Sequence, residues 1–135
     1  MDGLDVDNWN APIFSLSGKG FNGWYLADSL EITNSSFTNV SGPLADFGRD
    51  GRDESTFGPL FKLSNSTISN VANVINLDGI DGFELVNNKI VDSGAIIVQQ
   101  RVFGYLFIMK ENSIKGVSEI NVGGRDGDIF DFKIK

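Results

Sequence analysis

At 135 residues, 41% of them hydrophobic and eleven of them phenylalanine, the chain is long enough for one domain with an apolar core of its own. A formal net charge of -7 excludes a nucleic-acid binder built on a basic face, because phosphates are gripped by lysine and arginine. There is no cysteine and no histidine, which excludes a disulfide framework, thiol nucleophiles, Ser-His-Asp catalysis and histidine-ligated zinc.

The N-terminal stretch MDGLDVDNWNAPIF has no basic segment running into a long apolar one, so no signal peptide is read there. No stretch reaches membrane-spanning length, and no membrane partner is expected. Localisation is therefore not written in these residues, and Met1 fits a position inside a longer protein as well as a true start. Asp5 to Asn10, DVDNWN, begins like an EF-hand loop but lacks the central glycine and the late glutamate. Up to about Asp28 the chain is expected to supply one early strand, Ile13 to Leu16, and an aromatic-rich turn with Phe21, Trp24 and Tyr25.

From Leu30 onward the chain repeats. LEITNSSFTNV from Leu30, FKLSNSTISNV from Phe61, FELVNNKIVDS from Phe83 and FIMKENSIKGV from Phe107 superimpose without gaps. Each reads apolar, any, apolar, any, polar pair, any, apolar. A second short apolar strand follows each copy: Pro43 to Phe47, Val74 to Leu77, Ile96 to Val98 and Ile120 to Val122. Each begins three positions after its segment ends. Helical periodicity is absent. Two alternating strands per repeat, broken by Asn, Gly and Ser, predict an all-β solenoid of about four coils, a parallel β-helix.

Asn34, Asn65 and Asn87 occupy one position of the repeat; Glu111 breaks the series, with Asn112 beside it. Asparagine at a coil corner tolerates a left-handed backbone and can bond its amide to the copy above. The alternative is glycosylation, because Asn34-Ser35-Ser36, Asn39-Val40-Ser41 and Asn65-Ser66-Thr67 match the sequon. Further on, GGRDGD, Gly123 to Asp128, misses the GGxGxD calcium repeat at its fourth position. Asp128 to Lys135 reads as a last alternating strand whose lysines blunt an open edge. A solenoid this short lacks the polar caps that terminal repeats need, so two remedies are expected: missing upstream coils, or a homo-oligomer joined through coil ends.

One linker is enlarged. It holds GRDGRDESTFGP, Gly48 to Pro59, whose acids Asp50, Asp53 and Glu54 could hold a cation or accept backbone N–H bonds at a corner. Asp53 to Pro59, DESTFGP, with Arg49 before it, resembles the YRGG-x-DESTFGP signature of polysaccharide lyase family 6, the alginate lyases and chondroitinase B. The similarity covers roughly Trp24 to Val122, through SLEITNSSFTNVSGPLADF and NLDGIDGFELVNNKIVDSGAIIVQQ. It departs at Gly48, where the family often has Tyr, and at Asp50, where it has Gly. The resemblance implies a right-handed single-stranded parallel β-helix over residues 1–135, a fragment of a longer polysaccharide-lyase β-helix and similar to its C-terminal coils. It also implies cleavage of polyuronates by β-elimination, calcium in the full-length family, and a secreted or periplasmic location. The family's base, acid and calcium ligands belong to coils upstream, so neither catalytic nor metal-binding residues are assigned in this chain.

Elimination across a uronate needs a cation for the carboxylate, a base for the ring proton and an acid for the leaving oxygen. Lys62, Lys89 and Tyr105 are the groups that could titrate into such roles, but each sits in an alternating strand or turn where an exposed solubilising role is the more common one. Binding is better placed. Arg49 lies five residues after Leu44, Arg101 five after Ile96 and Arg125 five after Ile120, a spacing that brings three guanidiniums to one edge for successive carboxylates of an anionic polysaccharide. The competing reading pairs them with acids such as Asp50 and Asp126 as surface ion pairs. The competing function is a non-catalytic, structural or self-assembling β-solenoid.

Overall fold

The computed structural model describes residues 1–17, 29–48, 60–80, 82–100, 107–122 and 129–134. Among these residues there are twelve strands and no helix: β1 Asp5–Trp9, β2 Phe14–Ser17, β3 Ser29–Thr33, β4 Ser36–Gly48, β5 Leu60–Ser64, β6 Thr67–Ile80, β7 Gly82–Val86, β8 Lys89–Val91, β9 Ile96–Gln100, β10 Phe107–Lys115, β11 Ile120–Val122 and β12 Ile129–Ile134. Every pairing between them is parallel. The chain is all-β and solenoid-like, and it stacks its own repeats as layers of one curled sheet.

The register follows the gapless repeat. Leu30 pairs with Phe61, Phe61 with Phe83 and Phe83 with Phe107. A second run stacks β1, β4, β6, β8 and β10, and a third stacks β2, β4, β6, β9 and β11. Each eleven-residue segment, read above as one strand, is thus two strand runs, giving three per layer. The reason is a backbone break at the asparagine.

Left-handed residues fall into two columns. The first is Gly3, Asn34, Asn65, Asn87 and Glu111, with φ between 51° and 69°; the second, five residues later in each layer, is Asn8, Asn39, Asn70, Asp92 and Gly116, with φ between 48° and 69°. Asparagine, aspartate and glycine accept this conformation most cheaply, and each such residue turns the strand without ending the layer. The N-terminal segment contributes to both columns, and β1 pairs with Ser36–Val40 as an additional layer beyond the single early strand expected there. DVDNWN is accordingly strand rather than a calcium loop.

Alternation then sorts the side chains. In β5, Phe61 and Leu63 are buried while Lys62 and Ser64 stay half-exposed, the period of two that a strand with one wet face requires. Interior columns are apolar from layer to layer: Ile32, Leu63, Leu85 and Met109 along one run, Phe37, Ile68, Ile90 and Ile114 along the next, with Phe47, Leu77 and Val98 on the third. Phe61 and Phe83 stack at 6.2 Å, and Phe83 meets Phe107 edge-on at 5.8 Å. Such pairs add about 1 kcal/mol each beyond burial.

A polar column runs through this interior beside the first corner. Leu4 N donates to Ser35 Oγ, Ser35 N to Ser66 Oγ, Ser66 N to Asn88 Oδ1 and Asn88 N to Asn112 Oδ1, at 2.9 to 3.0 Å. Backbone N–H groups at a bend cannot join the strand ladder, and an unpaired one would be costly inside the core. Each layer satisfies the bend of the one before it. Asn112, noted above only as the neighbour of Glu111, is the last member of this column.

Candidate functional site

Arg49, Arg101 and Arg125 lie outside the described residues, as do Asp50, Tyr105, Asp126, the GGRDGD segment and the whole of Asp53 to Pro59. Their strands are described, and these correct the spacing argument. Ile96 pairs with Ile120 and with Ile75, and Ile75 pairs with Ala45 rather than Leu44. Leu44 belongs one position earlier. The shared count of five therefore starts from a different rung for Arg49 than for Arg101 and Arg125.

The slip has a local cause. Between the second corner and the third strand run, β4 carries one more residue than β6, with a register shift between Val40 and Pro43. Pro43 has no N–H to give a ladder, while its carbonyl accepts from Ile13 N at 3.1 Å. Pro43 consequently pairs with Asn73 rather than Val74, and a further one-residue difference between β6 and β9 puts Ile75, not Val74, opposite Ile96.

Lys62 and Lys89 can be placed. Lys62 stands between Glu31 and Glu84 on the outer face and pairs with Glu84 at 3.6 Å; both side chains are more than a third exposed. A pair so solvated contributes little to stability. Lys89 is exposed on β8, stacked between Thr67 and Ser113.

The asparagine corners are bonded along the stack. Asn87 Nδ2 donates to Asn65 Oδ1 at 2.7 Å and Asn34 Nδ2 to Asp2 Oδ1 at 2.9 Å. At the second corner, Asn70 Nδ2 donates to Asn39 Oδ1 at 2.8 Å, and Asn39 Nδ2 to Asp7 Oδ1 at 3.1 Å. The structural role expected of Asn34, Asn65 and Asn87 is present. In two of the three sequons, at Asn34 and Asn39, the amide nitrogen that a glycan would occupy is already donating.

An open groove of about 430 Å³ follows the second corner, lined by Asn39, Ser41, Asn70, Ala72, Asp92 and Gly94 among others. Ser41 hydroxyl bonds Asn10 on its rim. The walls offer amides, hydroxyl and carboxylate, which suits hydrogen bonding to hydroxyl groups and provides no charge for an anion. Among the described residues no three Asp or Glu side chains come together to hold a metal ion. The sequence pattern gave no warning of this second corner, because its members are Asn, Asp and Gly in different layers, and only the shared φ unites them.

Comparison with protein-family models, with curated proteins and with solved structures gave no match to this chain.

Proposed function

We propose that the chain is a right-handed single-stranded parallel β-helix module, similar to the C-terminal coils of a family 6 polysaccharide lyase. Its role is to contribute contacts to an anionic polysaccharide, a polyuronate such as alginate or dermatan sulfate, while the β-eliminating groups and calcium belong to other coils. One observation supports this reading above others: in chain order Arg49 and the DESTFGP segment link β4 to β5 of a layered parallel sheet, and the similar segments on either side supply strands to layers of that same sheet, on the two sides of the layer formed by β5 and β6.

Arg49 follows Gly48, the last residue of β4, and Arg101 follows Gln100, the last residue of β9. Both strands belong to the third run. Guanidinium is the group for this task, because its planar fork meets a carboxylate with two parallel bonds. The same family resemblance carries the expectation of a secreted or periplasmic protein.

The test is direct. Purified protein incubated with alginate or dermatan sulfate, with and without calcium, is expected to bind polymer and to release no unsaturated uronate absorbing in the ultraviolet. Appearance of that chromophore would overturn the division of labour, and absence of binding to either polymer would remove the sugar assignment.

A further inference from the structure

At the second corner the side-chain amides all point one way. Asn39 Nδ2 donates to Asp7 of the layer before, and Asn70 Nδ2 donates to Asn39. The next member of the column is Asp92, with φ of 48°, and aspartate has no N–H to pass on. Asn70 Oδ1 and the Asp92 carboxylate thus belong to adjacent layers, about 4.8 Å apart. Both residues are exposed, and neither of these acceptors receives a hydrogen bond from a described residue.

Both stand on the wall of the groove of about 430 Å³, a volume inside the range of small-molecule sites, about 300 to 1,000 Å³. Two residues past the corner its floor is formed by Ser41, Ala72 and Gly94 in successive layers. Gly94 can carry no side chain there, because a Cβ would meet the Ala72 carbonyl. The groove crosses three layers, between those of Asn8 and Gly116. It opens on the side of the stack, so a coil added at either end leaves it open.

The wall selects the ligand. Each corner asparagine gives one N–H to the ladder and keeps its second, while the Ser41 hydroxyl donates to Asn10 and can still accept. A ligand that fits must donate to Asn70 Oδ1 and Asp92 and accept from the Asn39 and Asn70 amides. Neighbouring sugar hydroxyls do both. A lone solvated carboxylate holds an ammonium group weakly, and among the described residues no three acidic side chains meet to hold a metal. Asp92 repels a uronate, and no lysine or arginine is among the described residues that line the groove.

We infer that this groove is a glycan site of its own, for a neutral oligosaccharide lying along the stack, with Asn70 Oδ1 and the Asp92 carboxylate accepting protons from neighbouring hydroxyls. It does not rest on the polyuronate reading. Ser41 precedes the third-run part of β4, and Gly48, the residue before Arg49, ends that strand.

Calorimetric titration of cellohexaose, mannohexaose and xylohexaose into the intact chain tests the assignment. At least one is expected to bind, equally at low and high salt and equally in Arg49→Ala. Asp92→Asn supplies the missing amide donor to Asn70 and removes the charge. It is expected to keep the urea midpoint and to bind the same sugar about 10-fold more weakly. Ala72→Leu fills the floor at an exposed position and is expected to abolish binding. Failure of all three sugars to bind, undiminished binding by Asp92→Asn or Ala72→Leu, or loss of binding in Arg49→Ala would each overturn it.

Discussion

Replacing Gly94 with alanine is expected to destabilise the protein by more than about 3 kcal/mol, read as a drop in urea midpoint with an unchanged slope. A Cβ at this position would fall on the carbonyl oxygen of Ala72, nearer than non-bonded carbon and oxygen approach, and close to Asn73 Oδ1. Neither layer can give way. Gly94 N donates to Val71 O at 2.9 Å, Val74 N to Ala95 O at 3.0 Å and Ala95 N to Asn73 Oδ1 at 3.3 Å, so the two backbones are clamped on both sides of the contact. Gly3→Ala separates this effect from ordinary left-handed strain: Gly3 has φ of 69° but nothing within 4 Å of a new Cβ, and only about 1 kcal/mol is expected there.

The second large effect is expected at Asn112. Its Oδ1 accepts from Asn88 N at 2.9 Å and from Asn88 Nδ2 at 3.1 Å, and its Nδ2 donates to Leu85 O at 2.6 Å. Asn112→Leu keeps the branched shape but is bulkier, and it strands these buried groups without water to replace the lost partner, for an expected loss of about 3 kcal/mol or more. Asn112→Ser is the informative companion. Serine already serves this column at positions 35 and 66, accepting the N–H of the layer before and donating two residues back along its own layer. It is expected to recover part of the loss, and equal damage from both substitutions would show that the acceptor is not what matters.

Much of this fold could be read from residue order. The gapless superposition of LEITNSSFTNV on its three successors is the register of the sheet, because stacking in parallel demands the same apolar position in every layer. The first asparagine corner was legible for the same reason: three of its members share one residue type. What escaped reading shares a role but not an identity. Ser35, Ser66, Asn88 and Asn112 all cap an N–H, yet a hydroxyl and an amide do not look alike in a pattern of letters. The second corner mixes Asn, Asp and Gly, and the first layer hides its membership because MDGLDVDN keeps the spacing while losing the LxIxN signature.

The candidate site was less legible than the fold. A one-residue difference between β4 and β6, at the bend containing Pro43, displaced the count that united Arg49 with Arg101 and Arg125. Spacing measured along a chain transfers to space only where no bulge intervenes.

Polyuronate recognition through Arg49 is measured most directly by titrating alginate and dermatan sulfate oligosaccharides into the parent protein and Arg49→Ala, each at low and high salt. The parent is expected to bind at least one of them, more weakly as salt rises, and the variant to bind about 10-fold more weakly, the worth of one charge-assisted hydrogen-bonded contact. Binding that is equally tight in both proteins, or absent from both, contradicts the assignment.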